Sequence, residues 1–155
     1  MGDARAWGCK LPNGRRHGAW HGESGAWSTS SSIGYDAACW FGEFNGAAEL
    51  RTEGAGGLIA RGAFRRGRPV GIWRVLDEHG DEKEVTDMDT RVVTRAWYLS
   101  CPPGAVATIE GDPHYADRVC VGASERRVGS YYSIRDLRLV ERGSFIDGVR
   151  TPDAR

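Results

Sequence analysis

The side chains of this chain that most readily act as nucleophiles or general bases are its histidines and cysteines. Its four histidines are spread along the sequence; His17, His21 and His79 each stand directly before a glycine, and His114 does not. A catalytic cysteine–histidine pair needs its two side chains adjacent in space, and this spacing does not indicate such a pair. The sequence therefore predicts a protein that is not an enzyme and that uses no cofactor.

A second group that could do chemistry is Glu110, Asp112, His114 and Asp117. Carboxylate oxygens are the ligands that hard cations prefer. The spacing matches no calcium-binding loop, however, and Gly111-Asp112-Pro113 has the composition of an ordinary turn. The sequence also has no C-x-x-C or C-x-x-H pair of the kind that binds zinc. We therefore expect no metal site.

The four cysteines are Cys9, Cys39, Cys101 and Cys120, and they allow three pairings. Two fall in each half of the chain, near the start of a repeated unit. This placement favours the disulfides Cys9–Cys39 and Cys101–Cys120. Paired cysteines would place the protein in the periplasm or outside the cell, whereas four reduced, buried thiols would suit the cytoplasm.

The overall charge argues against two classes of partner. Lysine and arginine together number 21, as do aspartate and glutamate. A neutral chain has no long-range field that attracts nucleic acid or an anionic membrane. No apolar stretch approaches the ~20 residues of a membrane span. Met1-Gly2-Asp3-Ala4-Arg5 lacks the apolar region of a signal peptide, although a mature exported chain would look the same.

Arginines gather around one predicted hairpin. Arg65, Arg66 and Arg68, together with Arg74, form a local cationic patch within the neutral chain. Arginine is favoured at protein interfaces because its planar fork pairs with carboxylates while its stem packs on aromatic rings. These four residues are the predicted binding site, and the alternative is that they are solvated turn charges. An acidic run at 77–84 is predicted to be a solvated hairpin tip, and the alternative is that it forms a binding surface.

These arginines lie in a stretch, Gly62 to Trp73, that contains two short phrases. The first, G-x-F-x-x-G, predicts a strand that enters a glycine turn, and the second, R-P-V-G-x-W, predicts the return strand. Asn13-Gly14 and Asn45-Gly46 predict further two-residue hairpin turns, and residues 39–44 predict a buried strand. The second phrase recurs twice with a glycine two residues before a large aromatic, so the structural positions are Gly18 and Trp20, Gly71 and Trp73, and Gly129 and Tyr131.

Recurring strand–turn–strand units indicate an array of hairpins that bury their aromatic residues against one another. The predicted fold is all-β, an antiparallel β-hairpin repeat array forming an elongated or twisted meander sheet with little or no helix. We expect one hairpin unit over residues 1–86, a short connector at 87–90, a second unit over 91–150 and a disordered tail at 151–155.

At these phrases the sequence resembles the MORN-type repeat family, in particular its bacterial variant associated with toxin–antitoxin and immunity systems. The resemblance is clearest over residues 62–85, then 126–148 and then 13–20. It implies a non-catalytic protein that binds another protein, of the immunity or antitoxin type that occludes a cognate toxin. The alternative is a structural or scaffold protein of the cell envelope without a toxin partner.

Overall fold

The computed structural model describes residues 3–25, 32–52 and 54–154, and for residues 3–7, 9, 22–25, 32 and 33 it describes the backbone alone. The described residues form thirteen β-strands and no helix, which confirms the predicted all-β class. The strands are β1 Asp3–Lys10, β2 Arg16–Gly25, β3 Ser32–Trp40, β4 Glu43–Thr52, β5 Ile59–Arg65, β6 Arg68–Leu76, β7 Glu82–Asp87, β8 Val92–Arg95, β9 Val106–Asp112, β10 Tyr115–Val121, β11 Arg127–Arg135, β12 Arg138–Ile146 and β13 Val149–Pro152.

All thirteen strands belong to one sheet in which each strand pairs with the next along the chain. This is the antiparallel meander that the hairpin rhythm predicts. The strands β8 and β9 share the fewest paired residues. Val92 opposite Thr108 is their single matched pair, and the N–H of Ile109 donates a hydrogen bond to the carbonyl of Arg91. We call β1–β8 the first half and β9–β13 the second half.

The recurring glycine–aromatic phrase produces the same β-bulge three times. In the β1–β2, β5–β6 and β10–β11 pairs, the return strand carries two extra residues at the phrase. The first of the two is Gly18, Gly71 or Gly129, and each has a positive φ, between 64° and 78°. Glycine adopts this conformation without steric cost, which is why the phrase needs it at that position.

Three hairpins close with one five-residue loop geometry, at 11–15, 77–81 and 122–126. In each loop the first N–H donates to the carbonyl of the fifth residue at 2.8–2.9 Å, and the fourth N–H donates to the first carbonyl. The prediction of a two-residue turn at Asn13-Gly14 is therefore wrong, because only Gly14 of that pair has a positive φ.

The second predicted turn is also misplaced. Gly46 lies inside β4, at a register irregularity opposite Ala38. The chain instead reverses at Phe41-Gly42, where both residues have a positive φ, the geometry of a type I′ turn. The predicted buried strand at 39–44 is thus the end of β3, a turn and the start of β4.

The core forms where the sheet curls on itself, so that the inner face of the first half packs against the inner face of the second. The Oγ1 of Thr52 donates to the carbonyl of Asp136 at 2.6 Å, and the N–H of Leu58 donates to the carbonyl of Leu137 at 2.9 Å. One cluster of buried apolar residues spans both halves, including Trp20, Leu50, Ala60, Trp73, Val75, Tyr132, Ile134 and Leu137.

A buried ion pair crosses this core. Arg118 on β10 and Glu84 on β7 are fully buried and form two hydrogen bonds, of 2.8 and 2.9 Å. Arg118 also donates to the carbonyls of Ala116 and Pro113, and Tyr132 donates to Glu84. A buried charge pair is tolerable when its remaining donors and acceptors are satisfied, as here. Glu84 is therefore not part of a solvated hairpin tip.

Only one of the two predicted disulfides is present. Cys101 and Cys120 are bonded, with Cα atoms 5.4 Å apart, whereas Cys39 is a buried free thiol. Cys9 pairs with His17 on β2, and Cys39 pairs with Gly18 on the other side of that strand. Two strand spacings of about 4.8 Å separate such positions, beyond the ~7 Å that a disulfide can bridge. The predicted Cys9–Cys39 bond is therefore wrong.

The last strand, β13, pairs only with β12, over four residues that are all exposed. It includes Thr151 and Pro152, which the sequence analysis assigned to a disordered tail. In the predicted connector at 87–90, Asp87 is the last residue of β7, and the following residues form the turn to β8, in which Met88 is buried.

Candidate functional site

The predicted arginine patch lies at one end of the first half of the sheet. Arg65 and Arg68 face each other across the β5–β6 hairpin, and Arg66 occupies its turn with a φ of 50°. All three are exposed, and among the described residues no side chain or carbonyl pairs with their guanidinium groups. These three arginines are therefore available to a ligand.

Arg74 is in a different situation. Its Nη1 donates to Glu82 at 2.6 Å, and the same carboxylate accepts a hydrogen bond from Arg95 at 3.1 Å. The two arginines lower the pKa of Glu82, chiefly through the hydrogen bond from Arg74. The structure therefore places Arg74 in a surface ion-pair network and away from the unpaired hairpin charges.

Neighbouring hairpin turns line up at this end of the sheet. The N–H of Gly42 donates to the carbonyl of Arg16 at 2.8 Å, and the N–H of Gly67 donates to the carbonyl of Phe44 at 2.9 Å. Each turn is thus tied to the start of a preceding strand. The arrangement sets the β3–β4 turn beside the β5–β6 turn.

The β3–β4 turn presents two adjacent aromatic side chains. Trp40 is 56% exposed and Phe41 is 48% exposed, and their ring centroids are 5.4 Å apart. The ring of His17 packs against Trp40 at 4.8 Å. Arg15 lies beside the same turn, since a Cβ built on Gly42 would stand 3.9 Å from its stem. We name the group Arg15, Trp40, Phe41, Arg65, Arg66 and Arg68 the aromatic–arginine edge.

Sequence reasoning found the three hairpin arginines of this edge and missed the aromatic pair. The run Cys39 to Phe44 is apolar enough to indicate a buried strand, which conceals the turn inside it. No hairpin signal marks this turn in the sequence, because type I′ turns favour Asn-Gly, Asp-Gly or Gly-Gly and Phe41-Gly42 is none of these.

The outer face next to this edge carries a charged row across β2 to β6. His21, Asp36, Glu49, Arg61 and Arg74 occupy successive paired positions. Arg61 binds Glu49 at 2.7 Å. Burial alone would raise the pKa of Asp36, but hydrogen bonds with His21 and Arg51 outweigh it and lower the pKa. The row is internally neutralised, in contrast to the aromatic–arginine edge.

The outer face of the second half carries a separate network around Asp117. Its Oδ1 accepts hydrogen bonds from Ser133 and Arg135 at 2.7 Å, and its Oδ2 accepts one from Arg150 at 3.0 Å. Arg150 also lies over the ring of Tyr131 at 4.3 Å. Arg150 therefore covers the ring of Tyr131, and the charges of Asp117, Arg135 and Arg150 are paired with one another.

The acidic segment at 110–117 does not converge on one point. Glu110 binds Arg127 at 2.7 Å, whereas Asp117 belongs to the network above. Burial lowers the pKa of His114, so that its ring is neutral near pH 7. Within the described parts of the chain, no three histidine, cysteine or acidic side chains are grouped as metal ligands would be.

Comparison of the chain with models of known protein families and with curated protein sequences found no match in either set. The resemblance to MORN-type repeats therefore stays a hypothesis that rests on residues 62–85, 126–148 and 13–20. Among the described residues, none form a helix with the length and apolar composition needed to cross a bilayer.

Proposed function

We propose that this protein is a non-catalytic binding protein that attaches to another protein through the β5–β6 hairpin. The observation that carries the proposal is a contrast between two groups of arginines in the first half of the sheet. Arg51, Arg61 and Arg74 are each paired with a carboxylate, whereas Arg65, Arg66 and Arg68 are exposed and have no partner among the described residues. In a neutral chain, such unpaired charges are free to bind carboxylates of a partner.

We further propose that the partner is a toxin and that the protein acts as an immunity or antitoxin-like protein that occludes it. The repeat resemblance supports this choice of partner. The Cys101–Cys120 bond supports an oxidising compartment, the periplasm or the cell exterior, as its place of action.

The test starts from the tagged protein, which is used to capture partners that mass spectrometry then identifies. The captured protein is purified and its Kd is measured by calorimetry for wild type and for Arg66→Glu with Arg68→Glu. We expect the double variant to keep its melting temperature, since exposed substitutions normally shift stability by less than about 0.5 kcal/mol. Its affinity should fall by at least roughly tenfold, about 1.4 kcal/mol.

The matched control is Arg126→Glu, compared with Arg66→Glu alone, because both arginines are exposed and lie in hairpin loops. An equal loss of affinity in the control would show a general charge effect and contradict the hairpin site. A partner that is not a toxin, with undiminished growth of cells that lack this protein, would favour the envelope scaffold.

A further inference from the structure

We infer that the partner docks on the aromatic–arginine edge with an acidic segment that carries a large apolar side chain. The apolar group packs on Trp40 and Phe41, and carboxylates on either side of it pair with Arg15 and with the β5–β6 hairpin. The inference rests on the proposed function and names the chemistry of its partner.

The aromatic pair is held in place although it is exposed. The rings of Trp40 and Phe41 meet edge to face, and His17 contacts both, with centroid distances of 4.8 Å to Trp40 and 6.0 Å to Phe41. Rigid aromatic side chains bind with little loss of conformational entropy, and tryptophan is enriched at the centres of protein interfaces.

Seven described non-glycine residues have a positive φ, and Phe41 is the one among them whose side chain is both apolar and exposed. Phe41 has a φ of 50°, a left-handed conformation that costs an ordinary L-residue about 1–2 kcal/mol. Asparagine or glycine is the residue type that this turn position favours. A bulky aromatic here opposes folding stability, and strain of this kind is concentrated at functional sites.

The net charge of the aromatic–arginine edge determines which charged groups a partner must carry beside its apolar side chain. Arg15 lies beside the aromatic turn, and Arg65, Arg66 and Arg68 lie on the neighbouring β5–β6 hairpin. Glu43, which faces Trp40 across its own hairpin, is an acidic residue at the same edge. The edge is therefore net positive and fits carboxylates, with which arginine makes paired hydrogen bonds. Nucleic acid is disfavoured because the neutral chain provides no field along a phosphate backbone.

The probes are two synthetic acidic peptides of equal length, one alternating glutamate with leucine and the other alternating glutamate with serine. Their Kd values are measured by fluorescence anisotropy on the full chain. We expect the leucine peptide to bind at least about tenfold more tightly, because both peptides have the same charge and only one has an apolar anchor. An oligothymidylate and vesicles of phosphatidylserine serve as competing anions.

Phe41→Asn is the decisive variant, because asparagine suits the turn and the variant should fold at least as stably as wild type. Together with Trp40→Ala it should abolish the preference for leucine. Arg15→Glu should weaken both peptides alike. Ile146→Ala, which removes a comparably exposed apolar side chain from the second half, is the matched control and should change neither Kd.

Equal affinities for the two peptides, or tighter binding of the oligonucleotide or the vesicles, would overturn the inference. The same variants, tested on a captured partner, show whether the proposed function fails together with this inference or independently of it. If a captured partner loses affinity for Arg66→Glu with Arg68→Glu but not for Phe41→Asn or Trp40→Ala, the protein-binding function stands and the aromatic anchor is refuted. If none of these variants affects the partner, both proposals fall.

Discussion

The β5–β6 and β10–β11 hairpins contain the same bulge but send its aromatic residue to opposite faces of one sheet. Trp73 lies in the core shared by both halves, over Gly62, where an added Cβ would stand 2.2 Å from the ring. Tyr131 is equally buried but lies outside that core, against Phe145 and under Arg150. In β11 the next residue, Tyr132, enters the core instead.

The difference shows that a repeated sequence phrase specifies local backbone geometry but not the face that its side chain occupies. A shift of one residue moves every side chain of a strand to the other face. In the second half this shift places Arg118 and Tyr132 in the core, where they meet Glu84 of the first half. The two halves are therefore related in their hairpins and distinct in their packing.

Replacing the two aromatic residues by alanine is the strongest test of this comparison. Trp73→Ala leaves a cavity in the shared core and should cost about 3–5 kcal/mol. Tyr131→Ala should cost less, about 2 kcal/mol, because the charged side chains that cover its ring can rearrange and admit water into the space that it leaves. Urea unfolding measures both. Equal losses, or a Trp73→Ala protein that melts within a degree or two of wild type, would contradict the assignment of separate cores.

The second test uses the disulfide that joins the loop between β8 and β9 to β10 of the second half. Removing the Cys101–Cys120 bond, which spans 19 residues, by Cys101→Ser with Cys120→Ser should cost about 3 kcal/mol. Cys39→Ala is the control, and its unfolding midpoint should respond to reductant as wild type does. Mass spectrometry of the unreduced protein should show a loss of two hydrogens. A loss of four would restore the second predicted disulfide.

The smallest expected effect is a difference between the two outer faces in how much free energy of unfolding is lost when their carboxylates are protonated. Burial alone would raise the pKa of Asp117, but hydrogen bonds from Ser133 and Arg135 and the charges of Arg135 and Arg150 outweigh it and hold the pKa below its ordinary value of 3.8. A carboxylate whose pKa is depressed on folding stabilises the fold above its unfolded pKa, and this stabilisation is lost as pH falls through the folded pKa.

Wild type should therefore lose more stability than Asp117→Asn as the pH falls below about 4, by on the order of 1 kcal/mol. The free energy of unfolding in urea, measured across that range, gives the difference. Asp36→Asn is the matched change on the first half, where the carboxylate is more exposed and is paired with His21 and Arg51. A larger effect for Asp36→Asn would reverse the expected order of the two faces.

The hairpin array could be predicted from the sequence because its signals are local. Gly18, Gly71 and Gly129 mark the three bulges, and the spacing between turn glycines leaves no room for helices. The curl of the sheet and the burial of Glu84 could not be predicted, because each depends on contacts between residues far apart in the chain. The exposure of Trp40 could not be predicted because the turn beside it contains Phe41, a residue type that this turn position disfavours. Glu84 lies within an acidic run, and only Arg118, 34 positions later, explains its burial.

The Cys9–Cys39 prediction was wrong for a related reason. Placement along the sequence suggested a pair, but β2 lies between the two positions. Of the candidate site, Arg65, Arg66 and Arg68 were recognisable because a cluster of like charges at a turn is visible locally. Arg74 belongs to the same sequence cluster, yet Glu82 on the neighbouring strand neutralises it.

The proline that ends β13 bears on how the protein behaves at high concentration. A strand of another molecule can pair with an exposed edge strand and so lengthen the sheet. Repeated addition of this kind leads to fibres. Pro152 has no amide hydrogen to offer an incoming strand, and β13 is only four residues long. Short edge strands and proline residues in them are features by which β proteins prevent such polymerisation. Pro152 therefore makes β13 a poorer template for an added strand.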